Sequence, residues 1–220
     1  MIAGELLTPD FPYLAPEDSV DKARQLFSDN FVSHLAVVGS QQIEGILPLD
    51  IIPQDIDFEG TIADLKADFI RAQVLNDQHG LDIFEVVSKL ELTAVPVSDK
   101  ENKYLGTIAT KDLLYMLSSL YAFRHLGGII VLSMGLRDYN LSEISRIIES
   151  NNAKIVLMYM DSDESTGTIW VTLKLDTLDI SRIIATFERF KYTVDFQQPS
   201  VYTRDETQER YALLMKMLDL

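Results

Sequence analysis

The sequence predicts a mixed α/β (α+β) fold with two copies of one small unit, a different β-α-β-β-α-β unit and a final helix. The first observation is an internal repeat. Residues 19–52 and 81–114 each read as an amphipathic helix, a β-rich hairpin with a glycine in its second strand, and an aspartate near a further helix. The offset between them is about 60 residues. A repeat of this period indicates two half-units that bury their faces against each other. The second observation is the change of element order after Gly127 and Gly128.

In the first repeat, the pattern predicts a helix with Asp18 or Ser19 as its N-cap. Its apolar positions follow helical spacing: Val20, Ala23, Leu26 and Phe27. The runs HLAVV and EGILPL then predict two strands. Pro48 and Pro53 interrupt the segment that follows, so the next helix should be shortened or distorted.

The second repeat has the same order of elements. Its first helix should bury one stripe of residues: Leu81, Phe84, Val87 and Leu90. The runs AVPVS and TIAT flank the polar turn DKENK, which is typical of a hairpin. Residues 111–121 predict a second helix with four leucines on one face: Leu113, Leu114, Leu117 and Leu120.

Beyond residue 126 the pattern changes to strand, helix, strand, strand, helix, strand, which is the ferredoxin-like order. Asn140 and Glu143 have the spacing of a capping box at the start of the first of these helices. Residues 204–220 carry apolar residues at helical spacing and predict one more helix. The Gly127–Gly128 pair is the predicted domain boundary.

The repeated layout resembles a tandem pair of cystathionine-β-synthase (CBS) domains, often called a Bateman module. The segment NLSEISRIIESNNAKIV and the size of its unit resemble an ACT domain. The resemblance implies a CBS pair over residues 1–126, with repeats at about 1–58 and 59–126. It implies an ACT-like domain over residues 127–203, followed by the C-terminal helix at 204–220.

In CBS pairs that bind adenine nucleotides, a glycine-led strand is followed by an aspartate that takes the ribose hydroxyls. By this resemblance, the segment GTIATKD implies an adenosyl site with Gly106, Thr110 and Asp112. A carboxylate can accept two O–H bonds, and a helix N-terminus favours phosphate. The family's hydroxyl residue is replaced by Ala109, and Thr110 comes one position late. The alternative is that Thr110 or Lys111 starts a helix with Asp112 in its first turn.

The resemblance also implies that the other repeat contributes to this pocket. The matching residues are Thr8, Val32, Ser33, His34 and Leu35. The companion segment GILPLD is one residue shorter, and Pro48 stands where a hydroxyl residue is expected. Proline has neither a hydroxyl nor an N–H for a phosphate. Asp50 is therefore interpreted as a helix-cap residue, which leaves at most one adenosyl site.

Composition excludes several classes. The net charge of −15, with no basic run, argues against a nucleic-acid or anionic-membrane partner. The chain has no cysteine, which excludes disulfides and thiolate chemistry. No signal peptide or membrane-length apolar run is found, so a cytoplasmic protein is expected. The three histidines are far apart, and no metal, Walker, Rossmann or serine-hydrolase motif is present.

Two hypotheses follow. The first is a non-catalytic regulatory sensor of an adenosyl ligand, AMP, ADP, ATP or S-adenosylmethionine, which signals through assembly or an unidentified protein partner. The second is a degenerate CBS/ACT scaffold that dimerises without a small ligand. In both, the chain is expected to be a homodimer or larger homo-oligomer without a cofactor, metal site or enzymatic activity. No glycine lies between Gly135 and Gly167, which favours dimerisation over amino-acid binding for the ACT-like unit.

Overall fold

The computed structural model describes residues 1–52 and 60–198, and it contains two compact units whose division falls between Ser118 and Ser119. The sequence places the boundary between Leu126 and Gly127, and that position stays a prediction. The C-terminal helix predicted at residues 204–220 lies outside the described residues. Across the described ranges, no helix combines the length and hydropathy required to span a bilayer.

The first repeat folds as a helix followed by an antiparallel hairpin. Its elements are α1 (Val20–Asn30), β1 (His34–Gly39) and β2 (Gln42–Pro48). Ser19 is the N-cap of α1, because its hydroxyl accepts from the N–H of Lys22. After Pro48 the chain forms a single 3-10 turn, Leu49–Ile51, where the sequence predicts a shortened or distorted helix.

The second repeat has the same helix and hairpin, with a short strand before them and a full helix after them. They are β3 (Val74–Leu75), α2 (Gly80–Lys89), β4 (Ala94–Ser98), β5 (Tyr104–Ala109) and α3 (Thr110–Ser119). Both hairpins shift register at matching places, between Val37 and Val38 and between Val97 and Ser98. The predicted repeat is therefore present in the backbone as well as in the sequence.

The lead-in of each repeat crosses to the hairpin of the other repeat. Ile70 exchanges two backbone hydrogen bonds with Ile46 of β2, at 2.9 and 3.0 Å. In the matching place, the N–H of Thr8 donates to the carbonyl of Thr107 in β5 at 2.9 Å. This crossed arrangement brings residues about 100 positions apart together at the end of β5.

Each repeat has its own hydrophobic core. The first core is centred on residues of α1, β1 and β2: Val20, Phe27, Leu35, Val37 and Leu47. The second is centred on α2, β4, β5 and α3: Ile83, Val95, Val97, Ile108 and Leu113. The prediction for the helix faces is wrong in part, since Leu81 and Leu114 are exposed whereas Ile83 and Met116 are buried. Both helices have apolar residues on more than one face, so the sequence pattern did not show which face packs against the core.

The second unit has the predicted β-α-β-β-α-β order. After the short helix α4 (Tyr121–Arg124) come β6 (Ile129–Gly135), α5 (Leu141–Ser150), β7 (Ile155–Asp163), β8 (Thr168–Leu175), α6 (Ser181–Arg189) and β9 (Thr193–Gln198). The sheet order is β7-β8-β6-β9, with antiparallel neighbours. Alternate residues of β8 are buried against α5 and α6, which is why TIWVTLKL alternates between apolar and larger or polar side chains.

The predicted capping box at the start of α5 is only half formed. Asn140 is the N-cap, and its side-chain oxygen accepts from the N–H of Glu143 at 3.2 Å. The Glu143 carboxylate does not accept a hydrogen bond from the N–H of Asn140. It accepts one from the Tyr192 hydroxyl instead, at 2.8 Å. A tertiary partner has thus replaced the local one.

Candidate functional site

The first candidate site is a carboxylate at the start of α3. The Thr8 hydroxyl donates to Oδ2 of Asp112 at 2.5 Å. The same Thr8 oxygen accepts from the buried N–H of Ala109 at 2.8 Å. Both hydrogen-bonding roles of Thr8 are therefore used, and the Asp112 carboxylate is held in one orientation. Asp112 is partly exposed in the first turn of α3, where the helix dipole favours negative charge.

Thr110 is not free to bind a ligand through its hydroxyl. That hydroxyl donates to the carbonyl of Leu92 at 2.7 Å, and the N–H of Thr110 donates to the carbonyl of Thr93 at 3.0 Å. These bonds fix the start of α3 to the segment before β4. The structure thus gives Thr110 the helix-starting role that the sequence left as the alternative.

Gly106 has a packing role in β5. Its φ of 153° lies in a region that other residues rarely adopt, and a Cβ there would meet the Leu7 side chain at 3.1–3.2 Å. The glycine thus lets the lead-in pass close over β5, which places the neighbouring Thr8 beside Asp112.

The four predicted residues at positions 32–35 divide into two groups. Val32 and Leu35 are buried in the core of that repeat, so their side chains offer no surface to a ligand. Ser33 and His34 instead line a second cleft.

This second cleft, called here the companion cleft, has a volume of about 600 Å³ and is formed around the end of β2. Its apolar wall consists of Pro48, Leu49, Ile51, Ile70 and Leu90. Its polar groups come from Ser33, His34, Asp50 and Glu91. Asp50 therefore lines a cavity, although the sequence predicted only a cap for it. The volume lies within the range of small-molecule pockets.

His34 enters the companion cleft as a neutral imidazole. The N–H of Thr93 donates to its Nδ1 at 3.2 Å, so that nitrogen carries a lone pair and the proton lies on Nε2. Burial lowers the pKa of His34, and the Asp50 carboxylate opposes this effect to a smaller extent. Protonation of Nδ1 would also place a second donor against the N–H of Thr93.

Thr93 is the residue that sequence reasoning missed. Its hydroxyl accepts from the N–H of Ser33 at 2.9 Å and lies 3.2 Å from Nδ1 of His34. Its carbonyl accepts from Thr110, so Thr93 links the two candidate sites. The repeat offset of about 60 residues places it opposite Ser33, and that signal could have identified it.

The second unit has a smaller cavity of about 360 Å³ between the start of α5 and the start of β9. Glu143, Tyr192, Asp138 and Lys191 are among its lining residues. Burial and the hydrogen-bonded Glu143 carboxylate raise the pKa of Tyr192 to about 12. Within the described ranges, no three His, Cys, Asp or Glu side chains are grouped to hold a metal ion.

Comparison with known proteins identifies the first repeat. Residues 3–52 match the family model of the CBS domain, at the position where the sequence predicts the first CBS repeat. The match begins in the lead-in and ends just after the 3-10 turn of Asp50. No curated protein matches the chain.

Among solved structures, a CBS domain pair/ACT domain protein from Thermotoga maritima is 17% identical, with a TM-score of 0.48 over 53% of this chain and 96% of that one. CBSX2 in complex with AMP is 17% identical, with a TM-score of 0.43 over 53% of this chain and 95% of that one. The cytosolic domain of the Mg²⁺ channel MgtE in complex with ATP is 19% identical, with a TM-score of 0.44 over 52% of this chain and 48% of that one. At these values the likenesses carry no conclusion about ligand or partner.

Proposed function

We propose that this CBS-domain chain is a non-catalytic regulatory module that binds an adenosyl ligand at Asp112 and responds through its assembly or a partner contact. The ligand would be AMP, ADP, ATP or S-adenosylmethionine. The observation that carries the proposal is the hydrogen bond from Thr8 to Asp112, which joins the lead-in of one repeat to the helix start of the other.

The geometry around Asp112 suits a ribose. Thr8 occupies Oδ2, and among the described residues Oδ1 has no hydrogen-bond partner. A carboxylate has about four lone-pair sites, so Asp112 can keep Thr8 and still accept both hydroxyls of a ribose. Because Thr8 is itself held by the N–H of Ala109, the carboxylate is oriented before the ligand arrives. Such preorganisation reduces the entropy lost on binding.

The adjacent helix supports the phosphate part of the proposal. α3 has 10 residues and begins at Thr110, two residues before Asp112, so its N-terminal turn lies beside the site. Helix N-termini of this kind bind anions. Thr110 contributes no hydroxyl, because its own proton is donated to Leu92. Recognition would therefore depend on the ribose more than on the phosphate.

A thermal-shift panel tests this proposal. Purified protein is heated with AMP, ADP, ATP, S-adenosylmethionine and, as a control, guanosine monophosphate. A ligand at 100 times its Kd adds about 2.7 kcal/mol to the free energy of unfolding. That gain corresponds to a rise of several degrees in Tm for a protein of this size. A panel in which no adenosyl compound raises Tm contradicts the proposal.

The alternative function is a degenerate scaffold that keeps the CBS/ACT fold without a small ligand. Two observations favour it: the engaged hydroxyl of Thr110 and the proline at position 48 of the companion segment. The same thermal-shift panel separates the two, because a scaffold would respond to none of the compounds.

We further propose that the chain forms a homodimer or larger homo-oligomer. In the first unit, Leu114 and Tyr115 of α3 are exposed at 61% and 75%. In the second unit, Tyr159 and Met160 are exposed on β7, an edge strand of the sheet. Apolar surface of this kind is often covered by a second subunit. Light scattering at tens of micromolar protein should give at least twice the 24.9 kDa chain mass, and a monomer mass would contradict the idea.

A further inference from the structure

The companion cleft has a chemical character unlike that of a nucleotide site. Its polar wall bears two carboxylates, Asp50 and Glu91, and none of the described residues that line it is positively charged. His34 adds no charge near neutral pH, since its Nδ1 accepts from Thr93 and its pKa is lowered by burial. A phosphate in this cleft would therefore meet two like charges without a compensating cation.

The apolar side of the cleft is incompletely covered. Leu49 and Leu90 line it and are exposed at 41% and 38%. Ile70, Ile51 and Pro48 continue the same surface. A ligand with an apolar or flat ring body would bury this surface, which stabilises binding by about 25 cal/mol per Å² of apolar area.

A bare metal ion does not fit these groups. Among the described residues, no set of three acidic or histidine side chains converges on one point. The positive charge that the two carboxylates favour must therefore be part of a larger molecule, whose body reaches the apolar wall. The N–H on Nε2 of His34 adds one neutral donor for a hydroxyl or carbonyl oxygen of that molecule.

We propose that the companion cleft binds an organic cation, a protonated amine attached to an apolar or aromatic body, with its charge at Asp50 and Glu91. The cleft rejects phosphorylated ligands for the same electrostatic reason. This inference goes beyond the proposed function, because it concerns a different cleft with different carboxylates. It stands or falls separately from nucleotide binding at Asp112.

Matched probes of different charge test the proposal. The cations are 5′-amino-5′-deoxyadenosine and tyramine, and their neutral counterparts are adenosine and tyrosol. The protein is the full chain carrying Asp112→Asn, so that binding at the other site is weakened. Each cation should bind about tenfold more tightly than its neutral counterpart, because a charge-assisted hydrogen bond is roughly twice as strong as a neutral one. AMP should not shift the His34 signal of this variant.

The NMR signal of His34 shows whether the ligand binds in the companion cleft. The chain has three histidines, so the ring Cε1–H signal of His34 is assigned by its loss in His34→Gln. Titration with either cation should shift that signal. In the variant with Asp50→Asn and Glu91→Gln added, the preference for the cation should disappear. Glu101→Gln, which removes an exposed carboxylate from the β4–β5 turn, is the matched control and should leave it unchanged.

The outcomes are decisive in both directions. A preference for the cations that depends on Asp50 and Glu91 and is weakened by salt supports the proposal. Equal binding of cations and neutral counterparts overturns it, as does a response of His34 to neither cation. Binding of AMP with a shift of the His34 signal also overturns it, since the cleft would then accept a phosphate.

Discussion

Thr8 and Asp112 are separated by 104 residues in the chain, yet their side-chain oxygens lie 2.5 Å apart. The contact depends on the crossing of the lead-in of the first repeat over β5 of the second. It places a carboxylate in a fixed orientation at the start of α3. The first two predictions below concern this pair.

Asp112→Asn should weaken AMP binding about tenfold or more. The amide has a single oxygen, which can either keep the bond from Thr8 or face the ribose, and it lacks the charge that strengthens these bonds. Charge-assisted bonds contribute about 1.5–3 kcal/mol against roughly 1 for neutral ones. A loss of 1.4 kcal/mol corresponds to about one decade in Kd. Isothermal titration of AMP and ATP measures the effect.

Asp50→Asn is the matched control for that experiment. It makes the same chemical change in the companion cleft, where Pro48 precedes the carboxylate and no phosphate is expected. AMP should bind this variant as it binds the wild type. Equal affinities of the wild type and Asp112→Asn would remove the support for a ribose at Asp112.

Thr8→Val should lower the free energy of unfolding by about 1–3 kcal/mol, the cost of leaving a buried polar group without its partner. The group is the N–H of Ala109, which donates to Thr8 in a residue that is almost fully buried. Thr8→Ser keeps the hydroxyl and should lie close to the wild type. Urea unfolding curves compare the three proteins, and a Thr8→Val curve that overlays the wild type would mean that this bond contributes little.

Phe31→Gly should raise the free energy of unfolding by about 1 kcal/mol, because a left-handed conformation costs a non-glycine residue about that amount. Phe31 ends α1 with φ 55° and ψ 43°, and its ring is exposed at 94%. Asp29→Gly, two residues earlier on an exposed helical position, should have the opposite sign. Thermal unfolding at one protein concentration compares them. Destabilisation by Phe31→Gly would show that the ring contributes a contact worth more than the strain.

The fourth prediction concerns pH. Burial and the bond to Glu143 raise the pKa of Tyr192 to about 12. An unfolded tyrosine has a pKa of about 10. The raised value means that this interaction stabilises the fold fully below pH 10 and is lost as pH rises through about 12. Between pH 10 and about 12, the free energy of unfolding should therefore fall less in Tyr192→Phe than in the wild type.

Glu143→Gln gives an independent reading of the same contact. It should lower the pKa of Tyr192. That pKa is measured from the pH dependence of the Tyr192 ring carbon signal, which is assigned by its loss in Tyr192→Phe. Glu149→Gln, an exposed carboxylate on the same helix, should leave that pKa where it was. If both variants moved it equally, the cause would be general charge and not the bond between Tyr192 and Glu143.

Much of the local structure was predictable because its causes are local. Ser19 and Asn140 act as N-caps through bonds to residues three positions ahead. The strands of both hairpins follow from β-branched runs that end in polar turns. Asp18, the other cap predicted for α1, instead accepts from the N–H of Ala15 and from Lys22. The sequence pattern fits either Asp18 or Ser19 as the N-cap, and only the three-dimensional structure shows which of them caps α1.

The candidate sites were predictable only in part. The resemblance to CBS pairs named both Thr8 and Asp112, whose side chains are hydrogen-bonded in the structure, and it also named Val32 and Leu35, which are in the core. Thr93 was missed because a lone threonine before a strand has no distinguishing local pattern. Glu143 was expected to bond within its own turn and instead accepts from Tyr192, 49 residues away.

The sequence by itself determined the internal repeat, the order of elements in both units and the residues available to carry charge. These follow from short-range periodicity and from backbone preferences that act within a few residues. The tertiary structure alone decided which helix faces are buried, that Asp50 lines a cleft and that Thr8 orients Asp112. Such contacts depend on how distant segments cross and pair, and the free energy of that pairing has no counterpart in the spacing of neighbouring residues.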